Sequence, residues 1–62
     1  MKYSELKRLL RQKGCYVCRQ GANHEIWFSP KTERRFPVSR HDSEEVYTGT
    51  LKDIIRQSGI EL

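Results

Sequence analysis

The sequence predicts an α+β fold in the order α-β-β-β-α, a three-stranded antiparallel sheet with two helices on one face. Three observations predict it. Apolar residues recur at helical spacing near the two ends of the chain, as Tyr3, Leu6, Leu9 and Leu10 and as Leu51, Ile54 and Ile55. Between them lie three short runs rich in β-branched and aromatic residues, separated by turn-forming clusters. The connections between those runs are too short for parallel crossovers, so hairpins are expected.

The first helix is expected from about Ser4 to Lys13. Ser4 is placed to accept backbone N–H bonds as an N-cap, and Glu5 sits where the helix dipole favours an acid. Lys7, Arg8 and Arg11 are expected largely off the apolar stripe, and Gly14 is a suitable stop. The first strand runs over Cys15–Arg19, and Gln20-Gly21-Ala22-Asn23 has the small and amide residues of a tight turn. The second runs over His24–Phe28, and Pro30 to Glu33 turns the chain again. The third covers Arg34–Ser39. Pro37 cannot donate a ladder bond, so that strand should lie at an edge or be irregular near Pro37. The last helix is expected from about Thr50 to Ser58, with Thr50 and Asp53 at capping-box spacing. Gly59 and Ile60 have the pattern of a Schellman stop, with Ile60 against Ile55. Val46 pins the long connection before this helix.

The chain of 62 residues is expected to form one domain, residues 1–62. So short a chain buries only about 60% of the surface its unfolded form exposes, which leaves a thin stability margin and no room for a dinucleotide fold. Apolar residues are 35% and charged residues 32%, and no stretch approaches the roughly 20 apolar residues of a membrane span. No basic-then-apolar leader opens the sequence, so a cytoplasmic protein is expected. Residues 1–40 carry ten Lys/Arg against three Asp/Glu, and residues 41–62 carry two against five. A basic block of this kind attracts polyanions, RNA or DNA first, although charge alone does not separate that from a solvated surface.

Cys15 and Cys18 form a C-x-x-C that could in principle join His24 and His41 in a zinc site. Residues three apart on a strand point to opposite faces, so the two thiols are not expected to share a metal or a disulfide. The acidic residues Asp42, Glu44 and Glu45 lack ligand spacing. With no Gly-rich phosphate loop, no metal site and no cofactor are expected.

His24 remains. It follows a small-residue turn and begins a strand, which leaves it at least partly exposed at a sheet corner. An imidazole exchanges protons near neutral pH. In a basic field holding RNA it could take the proton of a ribose 2′-hydroxyl, whose oxygen then attacks the adjacent phosphate. The alternative is an ordinary surface histidine. His41 has the same chemistry in a looser, acidic loop.

Several stretches resemble the HicA toxin family. Ser4-Glu5-Leu6, Leu9-Leu10 and Gly14 are similar to that family's first helix and its stop. Arg19-Gln20, the small turn and His24 resemble its R-Q-x-G-S-H. Val38-Ser39-Arg40-His41 resembles V-P-x-H. Gly49-Thr50-Leu51, Ile54-Ile55-Arg56-Gln57-Ser58 and Gly59-Ile60 resemble G-T-L-x-x-I-L-K-Q-A-G-I. The resemblance runs without a gap from about Ser4 to Ile60. It implies a double-stranded-RNA-binding-like α-β-β-β-α fold, a toxin endoribonuclease acting on mRNA, the catalytic histidine at His24, and a HicB-like antitoxin that covers the site. This sequence departs from the pattern at Ala22-Asn23 before the histidine, at Ser39 in place of proline, and at Cys15 in place of a larger apolar residue.

Around His24 as base, Asn23 or a turn amide would orient the phosphate. Arg19 and Arg34 or Arg35 would face it, depending on strand register. Lys7 and Arg11 are i,i+4 neighbours and a candidate pair for tracking the RNA backbone. Each of these is also readable as a solvated charge. Trp27 could stack on a base, but its place mid-sheet favours core or partner surface. The rival reading is a non-catalytic module that binds double-stranded RNA by shape, or a protein-interaction module with a basic docking face.

Overall fold

The computed structural model describes residues 1–61. The elements follow as α1 (Tyr3–Gln12), β1 (Tyr16–Gln20), β2 (His24–Ser29), β3 (Arg34–Ser39) and α2 (Thr48–Ser58). The strands form one antiparallel sheet in the order β1-β2-β3, so the predicted α+β, double-stranded-RNA-binding-like architecture is the one observed. Pro37 lies on an edge strand, as its missing N–H requires.

Strand alternation sorts the sheet into two faces. Trp27, Ser29, Phe36 and Val38 are buried beneath the helices. They join Leu6 and Leu10 of α1, Ile54 of α2, and Tyr3, Cys15, Val46 and Ile60 in one core. Val46 therefore does pin the long connection. Trp27 is fully buried, so the base-stacking role considered for it does not hold. The opposite face carries His24, Ile26 and Phe28 from β2 and Arg35 and Pro37 from β3, and among the described residues no helix covers it.

The helix starts differ from the sequence reading. α1 begins one residue before Ser4, with Lys2 at the N-cap and no side-chain cap. Its first N–H groups are satisfied by the 40s loop instead. Tyr3 N donates to the Glu44 carbonyl and Ser4 N to that of Asp42, both at 3.0 Å. α2 starts at Thr48 with Tyr47 as N-cap, so Thr50 lies inside the first turn and the Thr50–Asp53 capping box does not form.

The C-terminus of α2 is tied down by the sheet. The Ser29 hydroxyl donates to the Ser58 carbonyl at 2.5 Å, and the Thr32 hydroxyl to the Gln57 carbonyl at 2.6 Å. Gly59 has φ 72° and its N–H bonds the Ile55 carbonyl, while Ile60 N donates to the Ser58 hydroxyl. This is the simpler left-handed stop rather than the expected Schellman motif. A Cβ at Gly59 would come within 2.7 Å of the Thr32 methyl, so both φ and packing demand glycine there.

Candidate active site

His24 is the first residue of β2, exposed, and paired across the sheet with Ser39. The turn before it is fixed by backbone and by one arginine. Gly21 N donates to the His24 carbonyl at 2.8 Å, and a Cβ on Gly21 would sit only 3.1 Å from that oxygen. Arg40, just past β3, donates through Nη1 to the carbonyls of Gly21 (3.0 Å) and Ala22 (3.2 Å). Its backbone N–H reaches the Asn23 carbonyl at 3.4 Å. Arg40 thus staples the Gly21–Asn23 turn to the end of β3. Nothing in the linear sequence marked it, because the contact spans 18 and 19 residues.

The residues expected around His24 divide between the two faces. Arg19 pairs with Ile26 and Arg35 with Phe28, so both arginines share the open face with His24. Arg34 pairs with the buried Ser29 and belongs, by alternation, to the helix side, although its own side chain is exposed. Asn23 is exposed in the turn. The register therefore puts Arg35, and not Arg34, on the face with His24.

Lys7 and Arg11 lie on the other side of the sheet. Lys7 is buried, contrary to the expectation of a free cation, and its ammonium pairs with Glu25 at 3.0 Å and with Asp42. Glu25 also accepts the Trp27 indole N–H at 3.1 Å. Arg11 is exposed but lies 5.1 Å from the centre of the Trp27 ring, in cation–π range. The two do not make a free pair for an RNA backbone. The hydrogen bond from Lys7 holds the Asp42 carboxyl below its ordinary value, with the Lys7 and Arg11 charges adding to the effect. The burial of Lys7 had a sequence signal: it stands four residues after Tyr3 and three before Leu10, on the apolar stripe itself.

Cys15 is buried and Cys18 is exposed, with the Cys18 Sγ near the Ile26 carbonyl at 3.4 Å. The pairing skips Cys18 between Val17 and Arg19, a bulge that no sequence feature announced. Among the described residues, no three His, Cys, Asp or Glu side chains come together as a metal site. His41 is exposed, and its N–H bonds the hydroxyl of Ser39, the cross-strand partner of His24.

Residues 3–60 match the family described as the HicA toxin of bacterial toxin–antitoxin. The chain belongs to the HicA toxin family. No curated protein and no solved structure matched it. A HicA chain is a toxin of a toxin–antitoxin system, and such toxins act on RNA and pair with an antitoxin. No helix among the described residues is long and apolar enough to cross a membrane.

Proposed function

We propose that this HicA chain is a metal-independent endoribonuclease with His24 as general base. The observation that carries the reading is the placement of His24. It is exposed, at the end of a strand whose preceding turn is held by Arg40, on a face that also presents Arg19 and Arg35.

The imidazole takes the proton of a ribose 2′-hydroxyl. The 2′-oxygen attacks the adjacent phosphorus, the P–O5′ bond breaks, and the 5′-oxygen leaves and is protonated at this water-accessible corner. The products are a 2′,3′-cyclic phosphate and a 5′-hydroxyl end. Arg19 and Arg35 neutralise the charge that gathers on the non-bridging oxygens, and Asn23 lies in the turn beside the attacked phosphate. A HicB-like antitoxin would silence the toxin by covering this corner.

Purified parent and His24→Ala chains incubated with single-stranded RNA in EDTA test it. The parent should cut, leaving cyclic phosphate ends, and the variant should be slower by about 10²- to 10⁴-fold, the usual contribution of a positioned base. Equal cleavage by both would overturn the assignment. RNA retention by both without any cleavage would favour the non-catalytic binding module.

A further inference from the structure

We propose that the open face of the sheet is a track for single-stranded RNA. The base next to the scissile bond enters the cleft between Arg19 and Arg35, and the following base stacks on Tyr16. This rests on the reading that His24 cuts RNA.

β2 places His24, Ile26 and Phe28 in a row on this face, about 6.7 Å apart at strand rise. That spacing is comparable to one extended nucleotide step. Beside Ile26 is a cleft of about 300 Å³ lined by Cys18, Arg19, Ile26 and Arg35. The bulge at Cys18 bends β1 at this point. The cleft lies at the small end of ligand sites, fitting one planar base over an apolar floor between two guanidinium groups.

One step further, Tyr16 pairs with Phe28, and their ring centroids are 5.6 Å apart at 48°. Phe28 is half-buried and props Tyr16, which is 51% exposed and presents its ring to solvent. An aromatic plane held this way is a stacking platform. It can take only a base that is not already stacked within a duplex.

Charge complementarity selects the occupant. None of the strand residues on this face is acidic, because Glu25 points to the helix side and pairs with Lys7. Cations flanking exposed aromatics are the pattern of single-strand binders. A basic protein segment would find no acidic partner here, an acidic one would meet the arginines but leave Tyr16 without a stacking partner, and a duplex would offer Tyr16 no free base.

The test uses the His24→Ala chain, which holds RNA uncut, and fluorescence polarisation with a labelled single-stranded oligoribonucleotide and the same strand annealed to its complement. Tyr16→Ala should weaken single-strand binding about tenfold, Tyr16→Phe should retain it, and duplex binding should not change. Arg35→Gln, at an exposed position that the core does not use, should lower the slope of log affinity against log salt by about 0.7. Unchanged single-strand affinity in Tyr16→Ala, or an unchanged salt slope in Arg35→Gln, overturns the track. So does binding of a purified HicB-type antitoxin, but no RNA, through Tyr16. The nuclease assignment fails separately. A parent chain that does not cut, alongside Tyr16-dependent binding, removes the nuclease and keeps the track. A Tyr16→Ala chain otherwise of parent sequence that cuts and binds like the parent removes the track and keeps the nuclease.

Discussion

Lys7→Met is expected to bring this protein close to unfolding. Lys7 is 3% exposed, and its ammonium is the cation facing Glu25, whose side chain is 15% exposed. Methionine fills much the same volume, so the loss is mainly electrostatic. Removing one member of a buried ion pair costs about 3–5 kcal/mol, because the remaining charge is left uncompensated. Here the Glu25 carboxylate keeps one donor, the Trp27 indole N–H, and Asp42 is exposed and rehydrates freely. The cost therefore falls at the low end, about 3 kcal/mol. In a domain this small that is a drop in Tm of about 12–24 °C, against a total stability of about 3–5 kcal/mol. Thermal melts by far-UV circular dichroism, with the fluorescence of the sole tryptophan, Trp27, as a second probe, give the number. Lys7→Met combined with Glu25→Gln removes the orphaned charge but keeps an acceptor for the indole, and should recover at least half of the loss. A single variant melting within about 5 °C of the parent would refute the reasoning, since one kcal/mol is worth about 4–8 °C. A double variant melting no higher than the single one would do the same.

Asp42 binds its proton more weakly in the folded protein than in the unfolded chain, chiefly through the hydrogen bond from Lys7. Its contribution is complete above the ordinary value of 3.8 and is lost as pH falls through the lowered folded value. Tm should therefore fall below about pH 4, and Asp42→Asn should flatten that acid limb in melts across pH 2–5. Ser29→Ala strands the buried Ser58 carbonyl and should cost about 1–3 kcal/mol, read as a lower urea midpoint at unchanged slope. Arg40→Met frees the Gly21–Asn23 turn. Cleavage should fall about tenfold, mainly in kcat, while Tm stays within about 4–8 °C of the parent, because the bonds lost are exposed. An unchanged kcat would show that the turn does not position His24.

The parts of the fold legible in the sequence were those set by local periodicity. The apolar stripes, the three strand runs, Pro37 at an edge and the glycine stops at Gly14 and Gly59 all follow from neighbours within one turn or one pleat. The helix caps were not legible, because their partners are distant. Carbonyls of Asp42 and Glu44 replace the Ser4 cap, and hydroxyls of Ser29 and Thr32 serve the far end of α2. Of the residues expected at the site, His24, Arg19 and Arg35 share a face because of strand register, which the sequence left open between Arg34 and Arg35. The charge of Lys7 points outward, whereas its position lies on the Tyr3–Leu10 stripe. The position prevailed, since Glu25 sits opposite to receive the charge.

That exchange also bears on function. His24 and Glu25 are consecutive in β2, so they point to opposite faces of the sheet. On the helix side, Glu25 pairs with Lys7 of α1 and accepts the indole N–H of Trp27, two residues on in the same strand. Glu25 is held to the helix side, and His24, one pleat away, faces the open side. Arg40 acts from the turn side, holding the carbonyls of Gly21 and Ala22. His24 is thus fixed from both directions along the chain while its ring stays open to solvent. The role proposed for His24 would draw on this combination, because a misplacement of about 1 Å can lower the rate about 100-fold. The Lys7–Glu25 ion pair holds the residue beside His24 to the helix side of the sheet.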